Sequence, residues 1–223
     1  VAFEFPPSLE REYRKFHLQR VLPRVRGWLW VLVALTLATG IYRLGFEGHF
    51  GFNYETVLRI GVLQCASIAM LLAAYHPRHE QLYPGTATLA SALYGVALSV
   101  LVLQVIMEGG AETLSLLTVH TLATLFLVGL MFVPALIVAS LILVAFIAAG
   151  FAFELRPTML AYDTVLVASV IVLGAYIAYG VQEADRRLFL ERGALGDLAE
   201  RDGLTGLRNR RAFDEHLLRV WQQ

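Results

Sequence analysis

The stretch ALIVASLILVAFIAAGFAF, which occupies Ala135–Phe153, decides the fold because Ser140 is its only polar residue. A membrane-spanning helix needs about 20 predominantly apolar residues to cross the hydrocarbon core of a bilayer. The whole chain of 223 residues has the same character, since 57% of it is hydrophobic and only 16% is charged. Soluble domains carry about 25% charged residues. The sequence therefore predicts an all-α membrane protein and argues against a soluble enzyme.

Five other stretches have the length and hydropathy of a membrane span. With Ala135–Phe153 they predict a bundle of six transmembrane helices over residues 27–181, the others being Gly27–Leu44, Val57–Tyr75, Thr86–Met107, Leu114–Phe132 and Thr164–Val181. The proline of Val133-Pro134 is expected to break the chain between the fourth and fifth spans. The first span is too long, and lies too far inside the chain, to be a cleaved signal peptide.

The basic residues predict the orientation of these spans. Fifteen of the 18 Lys and Arg residues lie before the first span, in the connection after the second span, or after the sixth span. The opposite side holds only Arg43, Arg59 and Arg156. Because cytoplasmic segments carry the excess of Lys and Arg, both termini are predicted to be cytoplasmic, as an even number of spans requires.

Residues 1–26 are predicted to form an amphipathic helix beside the membrane. Leu9, Tyr13 and Phe16 share one face of this helix, and Arg11, Arg14 and Lys15 flank that face. This pattern is typical of a helix that lies on the lipid of the inner leaflet. A solvated cytoplasmic arm is the alternative interpretation.

A short motif follows the last span at residues 202–213, with the sequence DGLTGLRNRRAF. It resembles the opening of the GGDEF domain, the catalytic domain of diguanylate cyclases, whose pattern is Asp-x-Leu-Thr-Gly-Leu-x-Asn-Arg-Arg-x-Phe. Nine positions match this pattern, namely Asp202, Leu204, Thr205, Gly206, Leu207, Asn209, Arg210, Arg211 and Phe213. The resemblance covers about twenty residues, 202–223, and implies the start of a second domain.

This resemblance implies a function for the protein as a whole. Diguanylate cyclases make cyclic di-GMP from two GTP molecules with Mg²⁺, and two catalytic domains must meet to do so. In the family, the metal-binding aspartates and the Gly-Gly-Asp/Glu-Glu-Phe turn come later than this motif and are absent here, so the chain alone is expected to be inactive. The first residue, Val1, indicates that the native start is missing as well. The resemblance places the protein in a bacterial inner membrane.

Residues 182–201 are predicted to continue the sixth span as a helical stalk. Val181, Leu188, Leu195 and Leu198 approximate a heptad pattern and favour a parallel coiled coil between two copies of the chain. A flexible linker is the alternative, because glycines at 193 and 196 weaken a helix. The sixth span also carries Gly174 and Ala178, and we place this span at the dimer axis because it continues into the stalk.

Polar residues inside the spans are candidates for a ligand site, since burying them in lipid is costly. We predict a pocket for a small, possibly lipophilic ligand, open to the outer side, from His120, Thr121, Thr124, Gln104, Glu108 and His49. His120 is also the candidate ligand for a haem iron or another metal. A hydrogen bond between helices is the alternative role for His120. The third span shows a close-packing stripe of small residues, which comprises Ala87, Ser91, Gly95 and Ser99.

Together these features predict the membrane sensor domain of a diguanylate cyclase, with itself, lipid and a small ligand as partners and without nucleic acid. A passive membrane anchor that only dimerises the enzyme is the alternative. A small transporter is a remote third interpretation, because no Asp, Glu, Lys or Arg lies in the middle of any predicted span.

Overall fold

The computed structural model describes residues 5–46, 54–107 and 114–200, and the elements in these ranges are all helical. In chain order they are α1 (Pro7–Phe46), the single turn α2 (Tyr54–Thr56), a π-helical stretch (Val57–Gln64), α3 (Cys65–Tyr75), α4 (His79–Met107), α5 (Leu114–Phe126), α6 (Phe132–Ala152) and α7 (Pro157–Glu200). Five helical segments within the described ranges are long and apolar enough to cross a membrane, and these are Pro7–Tyr42, Val57–Tyr75, His79–Met107, Phe132–Ala152 and Pro157–Ala194. The predicted all-α membrane architecture is confirmed at this level.

The sixth apolar helix, α5, is shorter than predicted. It has 13 residues, which correspond to a length of about 20 Å. The predicted span Leu114–Phe132 therefore ends six residues late, because the helix stops at Phe126 and Phe132 already belongs to α6. The chain turns at Gly129, whose φ of 76° lies in the left-handed region that favours glycine.

The predicted break at Val133-Pro134 is wrong. Pro134 lies in the first turn of α6, which begins at Phe132. In the first turn of a helix the backbone N–H groups have no partner within the helix, so proline costs nothing there.

Helix α4 lies at the centre of the membrane unit, in contact with α3, α5 and α6. The predicted close-packing stripe faces these neighbours, because Ala87, Ser91 and Ser99 are fully buried. A Cβ atom at Gly95 would overlap the side chain of Ile142 on α6. The predicted packing role of this stripe is confirmed.

Two arginines of α1 bind the ends of other helices. Arg26 donates two hydrogen bonds, of 3.2 and 2.9 Å, to the carbonyl oxygen of Ala74 near the C-terminus of α3. Arg24 donates one of 3.3 Å to the carbonyl oxygen of Phe126, the last residue of α5. A positive charge is favourable at the negative end of a helix dipole. The C-termini of α3 and α5 therefore lie at the same level of the bundle.

Helix α7 uses its small residues inside the bundle. A Cβ atom at Gly174 would stand 2.6 Å from Leu125 Cδ1 on α5, and Ala178 is buried as well. This face therefore packs on α5 of the same chain, and the placement of the sixth span at a dimer axis stays a prediction that would use another face of the helix.

The chain divides into two compact units. Residues 17–180 form the membrane unit described above. The described part of the other unit comprises residues 5–16, at the start of α1, and the part of α7 from Val181 onward.

Candidate functional site

His120 lies in the interior of the membrane unit. Its residue surface is only 4% exposed, and its imidazole stacks on the ring of Tyr94 with 4.4 Å between ring centroids. The Nε2 atom lies 3.3 Å from the carbonyl oxygen of Ser91. A carbonyl oxygen can only accept, so Nε2 carries the proton in this hydrogen bond and the neutral ring has its lone pair on Nδ1.

Further hydrogen bonds connect His120 and Tyr94 to neighbouring helices. The hydroxyl groups of Tyr94 and Thr36 lie 3.1 Å apart and join α4 to α1. Thr36 also donates to the carbonyl oxygen of Leu32. Ser91 donates to the sulfur of Met70 on α3 over 3.5 Å. We call Thr36, Ser91, Tyr94 and His120 the polar core; it ties α1, α3 and α5 to α4.

The other predicted ligand residues of α5 are buried, and their hydroxyl groups form hydrogen bonds within the same helix. Thr121 and Thr124 have no exposed surface, and their hydroxyl groups donate to the carbonyl oxygens of Leu117 and His120. Hydrogen bonds of this kind satisfy a buried hydroxyl within its own helix.

Of the remaining members of the predicted pocket, only Gln104 lies among the described residues. Gln104 is half-buried on α4, about 15 Å along the helix axis from Tyr94. His49 and Glu108 lie outside the described residues. The structure therefore brings together His120, Thr121 and Thr124 from the predicted set.

Ligation of a metal or haem iron by His120 stays a prediction. The described ranges contain no group of three His, Cys, Asp or Glu side chains that could hold a metal ion. The Nε2 atom of His120 is hydrogen-bonded to the carbonyl oxygen of Ser91. Nδ1 is buried and has no hydrogen-bond partner among the described residues, so it is the atom of the polar core that a ligand could reach with a hydrogen-bond donor.

A second cluster lies in the smaller unit, around Arg186 of α7. Its guanidinium group donates hydrogen bonds of 2.9 and 3.1 Å to the two carboxylate oxygens of Glu10. The same group lies 4.7 Å from the ring centroid of Phe5 and 4.4 Å from that of Tyr13. Phe189 packs against both rings at 6.1 and 5.7 Å. We call these five residues the Arg186 clamp.

Sequence reasoning missed the Arg186 clamp. Glu10 and Arg186 are 176 residues apart, and nothing in the spacing distinguishes Arg186 from the seven other arginines of the C-terminal tail. The available signal was only that both segments are predicted on the same side of the membrane. Tyr13 and Phe16, two of the three residues on the face predicted to lie on the inner leaflet, both contact Phe189 of α7, at 5.7 and 5.3 Å.

The predicted stalk is described only in part. Helix α7 continues to Glu200 without a break. Val181 is 57% exposed and Leu188 is half-buried. The side chains of Leu195 and Leu198, and the whole motif of residues 202–213, lie outside what the structure describes.

No family model matches the chain, and no curated protein is significantly similar to it.

Proposed function

We propose that this chain is the sensory and dimerisation domain of a diguanylate cyclase in a bacterial inner membrane, with both termini in the cytoplasm. The observation that carries the proposal is the motif of residues 202–213, where nine of twelve positions match the GGDEF opening. The domain would regulate the synthesis of cyclic di-GMP from two GTP by a catalytic domain that follows the motif.

Helix α7 supports this assignment because it connects the last apolar segment to the motif of residues 202–213. It is 44 residues long and runs from Pro157 to Glu200, two residues before the motif begins. A continuous helix transmits rotation or displacement along its axis, whereas a flexible linker does not. A second copy would pair with it through the stalk residues Val181, Leu188, Leu195 and Leu198.

We place the signal input at the polar core. A small ligand that donates a hydrogen bond to Nδ1 of His120 would compete with the present packing and shift the bundle between two states. A ligand shifts such an equilibrium only by its differential affinity for the two states.

A passive anchor is the second candidate, and one observation favours it. The hydroxyl groups of Ser99, Thr121 and Thr124 donate to backbone carbonyl oxygens within their own helices. These groups are thus satisfied without any ligand, as in a bundle that serves for packing alone.

The first experiment measures cyclic di-GMP formation by the full-length protein in isolated membranes with GTP and Mg²⁺. We expect synthesis that stops when EDTA removes the metal. The absence of cyclic di-GMP in membranes that contain the folded full-length protein would contradict the proposed function.

The second experiment separates sensor from anchor. The purified full-length enzyme is assayed with and without a lipid extract of its host, alongside a chimera in which an unrelated dimeric membrane helix replaces residues 1–180. A sensor responds to the extract and the chimera does not; an anchor gives the same result for both proteins. His120→Ala should abolish the response, whereas Thr118→Ala on the same helix should keep it, because the Thr118 hydroxyl donates only to the carbonyl oxygen of Ser115.

A further inference from the structure

We propose that residues 5–16 are a built-in partner of the output helix, defined here as residues 181–194 of α7, and that the Arg186 clamp fixes the face that this helix presents to a second copy. The inference that the clamp influences output rests on the proposed function, because that output is the synthesis of cyclic di-GMP. The clamp itself depends only on contacts within this chain.

The Arg186 clamp is an interior contact and not a surface ion pair, because Arg186 is almost completely buried. The residue is 2% exposed, and the side chain of Glu10 is 12% exposed. A buried guanidinium group is costly unless an anion neutralises it and its N–H groups are hydrogen-bonded. Glu10 neutralises the charge and accepts hydrogen bonds from both terminal nitrogens, Nη1 and Nη2, and the rings of Phe5 and Tyr13 add cation–π contacts.

Arginine is the residue type that this arrangement requires. Its planar group accepts ring contacts and a two-oxygen hydrogen bond at the same time, which a lysine ammonium cannot do. Glu10 also accepts a hydrogen bond of 3.2 Å from the backbone N–H of Phe5. The carboxylate therefore holds the start of the described chain and the output helix together.

The clamp occupies one face of the output helix and leaves another open. Its members on α7 are Arg186 and Phe189, and Gln182, one turn earlier, is buried on the same face. The predicted pairing residues Val181 and Leu188 lie about 120° away at 100° per residue. Val181 is 57% exposed. Docking of residues 5–16 and pairing with a second copy are therefore compatible.

This geometry gives the N-terminal segment a direct influence on the output. While the clamp is closed, residues 5–16 restrict the rotation of the output helix about its own axis. When it opens, the apolar faces that pair two copies lose their fixed orientation. The clamp thus acts as a positioning element for the meeting of two catalytic domains.

Hydrogen exchange of the full-length protein in lipid nanodiscs tests the contact without using enzyme activity. Arg186→Gln and Glu10→Gln should each raise exchange in residues 7–16 and 182–192 by about tenfold, because each removes a charge-assisted hydrogen bond. The double variant should exchange no faster than the worse single variant, since the two residues act as a pair. Unchanged exchange in residues 7–16 of Arg186→Gln would overturn the clamp.

Arg187→Gln is the matched control. Arg187 is the next residue along α7, and its exposed side chain pairs with Glu183 one turn away. Exposed pairs of this kind contribute little. We expect wild-type exchange in both segments; a change as large as that of Arg186→Gln would show a general charge effect and overturn the proposal.

Cyclic di-GMP synthesis tests the influence on output. Glu10→Gln and Arg186→Gln should change the basal rate of the full-length enzyme several-fold in the same direction, and Arg187→Gln should not. Altered exchange with an unchanged rate overturns the positioning role while the proposed function stands. If the wild-type protein makes no cyclic di-GMP, the proposed function fails, and the exchange measurement still decides whether the clamp exists.

Discussion

At the scale of single residues, Gly95 shows how closely the helices of the membrane unit approach. The position faces Ile142, and a Cβ atom there would also stand 3.4 Å from Cδ2 of His120. Gly95→Ala should destabilise the protein by about 1–3 kcal/mol, because the fully buried Ile142 has to move in a packed interior. The measurement is the thermal unfolding midpoint of the purified protein in detergent.

Gly85→Ala provides the control on the same helix. A Cβ atom at Gly85 meets no atom within 4 Å, and alanine is favoured over glycine in helices by about 1 kcal/mol. We therefore expect an unchanged or raised midpoint for Gly85→Ala. Equal destabilisation by both substitutions would contradict this prediction, because the approach of α6 would then not explain the effect at Gly95.

At the scale of helices, the sequence predicts apolar segments well and their ends poorly. Hydropathy is a sum over about 20 residues, so it located the membrane helices and was insensitive to a shift of a few positions. Pro134 predicts a break by its residue type alone, although proline is favourable in the first turn of a helix. Gly129 makes the actual turn between α5 and α6, and its positive φ was not evident from composition.

The sequence predicts the polar core in part and the Arg186 clamp not at all. His120 was found because a histidine in an apolar segment stands out against its neighbours. Its contacts with Ser91 and Tyr94 follow from how α4 and α5 pack, which no local pattern encodes. Arg186 lies among many arginines, so its burial could be recognised only in three dimensions.

Helix α7 should make the activity of the catalytic domain sensitive to the length of the helix after Ala194. If it transmits rotation to the catalytic domain, insertions after Ala194 should act by helical phase. Seven added helix-forming residues nearly preserve the phase of the apolar heptad pattern, whereas three or four turn the following domain relative to α7. Cyclic di-GMP synthesis by the full-length enzyme should therefore survive a seven-residue insertion and fall strongly with three or four.

An insertion series also discriminates between a rigid and a flexible connection. Steady activity at all insertion lengths would indicate that residues 195–201 do not transmit rotation. Loss of activity at all lengths, including seven, would indicate that the distance to the catalytic domain matters more than the phase. Protein amounts in the membrane, determined by immunoblotting, are the control for each variant.

At the scale of the whole molecule, the arginine caps of α1 define one side of the membrane unit. Arg26 binds the end of α3 at Ala74, and Arg24 binds the end of α5 at Phe126. Helix α6 starts six residues after Phe126 and extends over 21 residues, a length of about 30 Å that matches the hydrocarbon core. The connection between α6 and α7 therefore lies on the opposite side from the connection between α3 and α4.

Cysteine labelling in a Cys65→Ser background tests this arrangement at two exposed positions. Arg78 lies between α3 and α4, and Glu154 lies between α6 and α7. With a membrane-impermeant maleimide applied to spheroplasts, Glu154→Cys should be labelled at once, and Arg78→Cys only after lysis, because the excess of basic residues places Arg78 in the cytoplasm. The reverse pattern would invert the predicted orientation. Labelling of both positions from one side would contradict a crossing by α6, and with it the six-span bundle on which the proposed sensor depends.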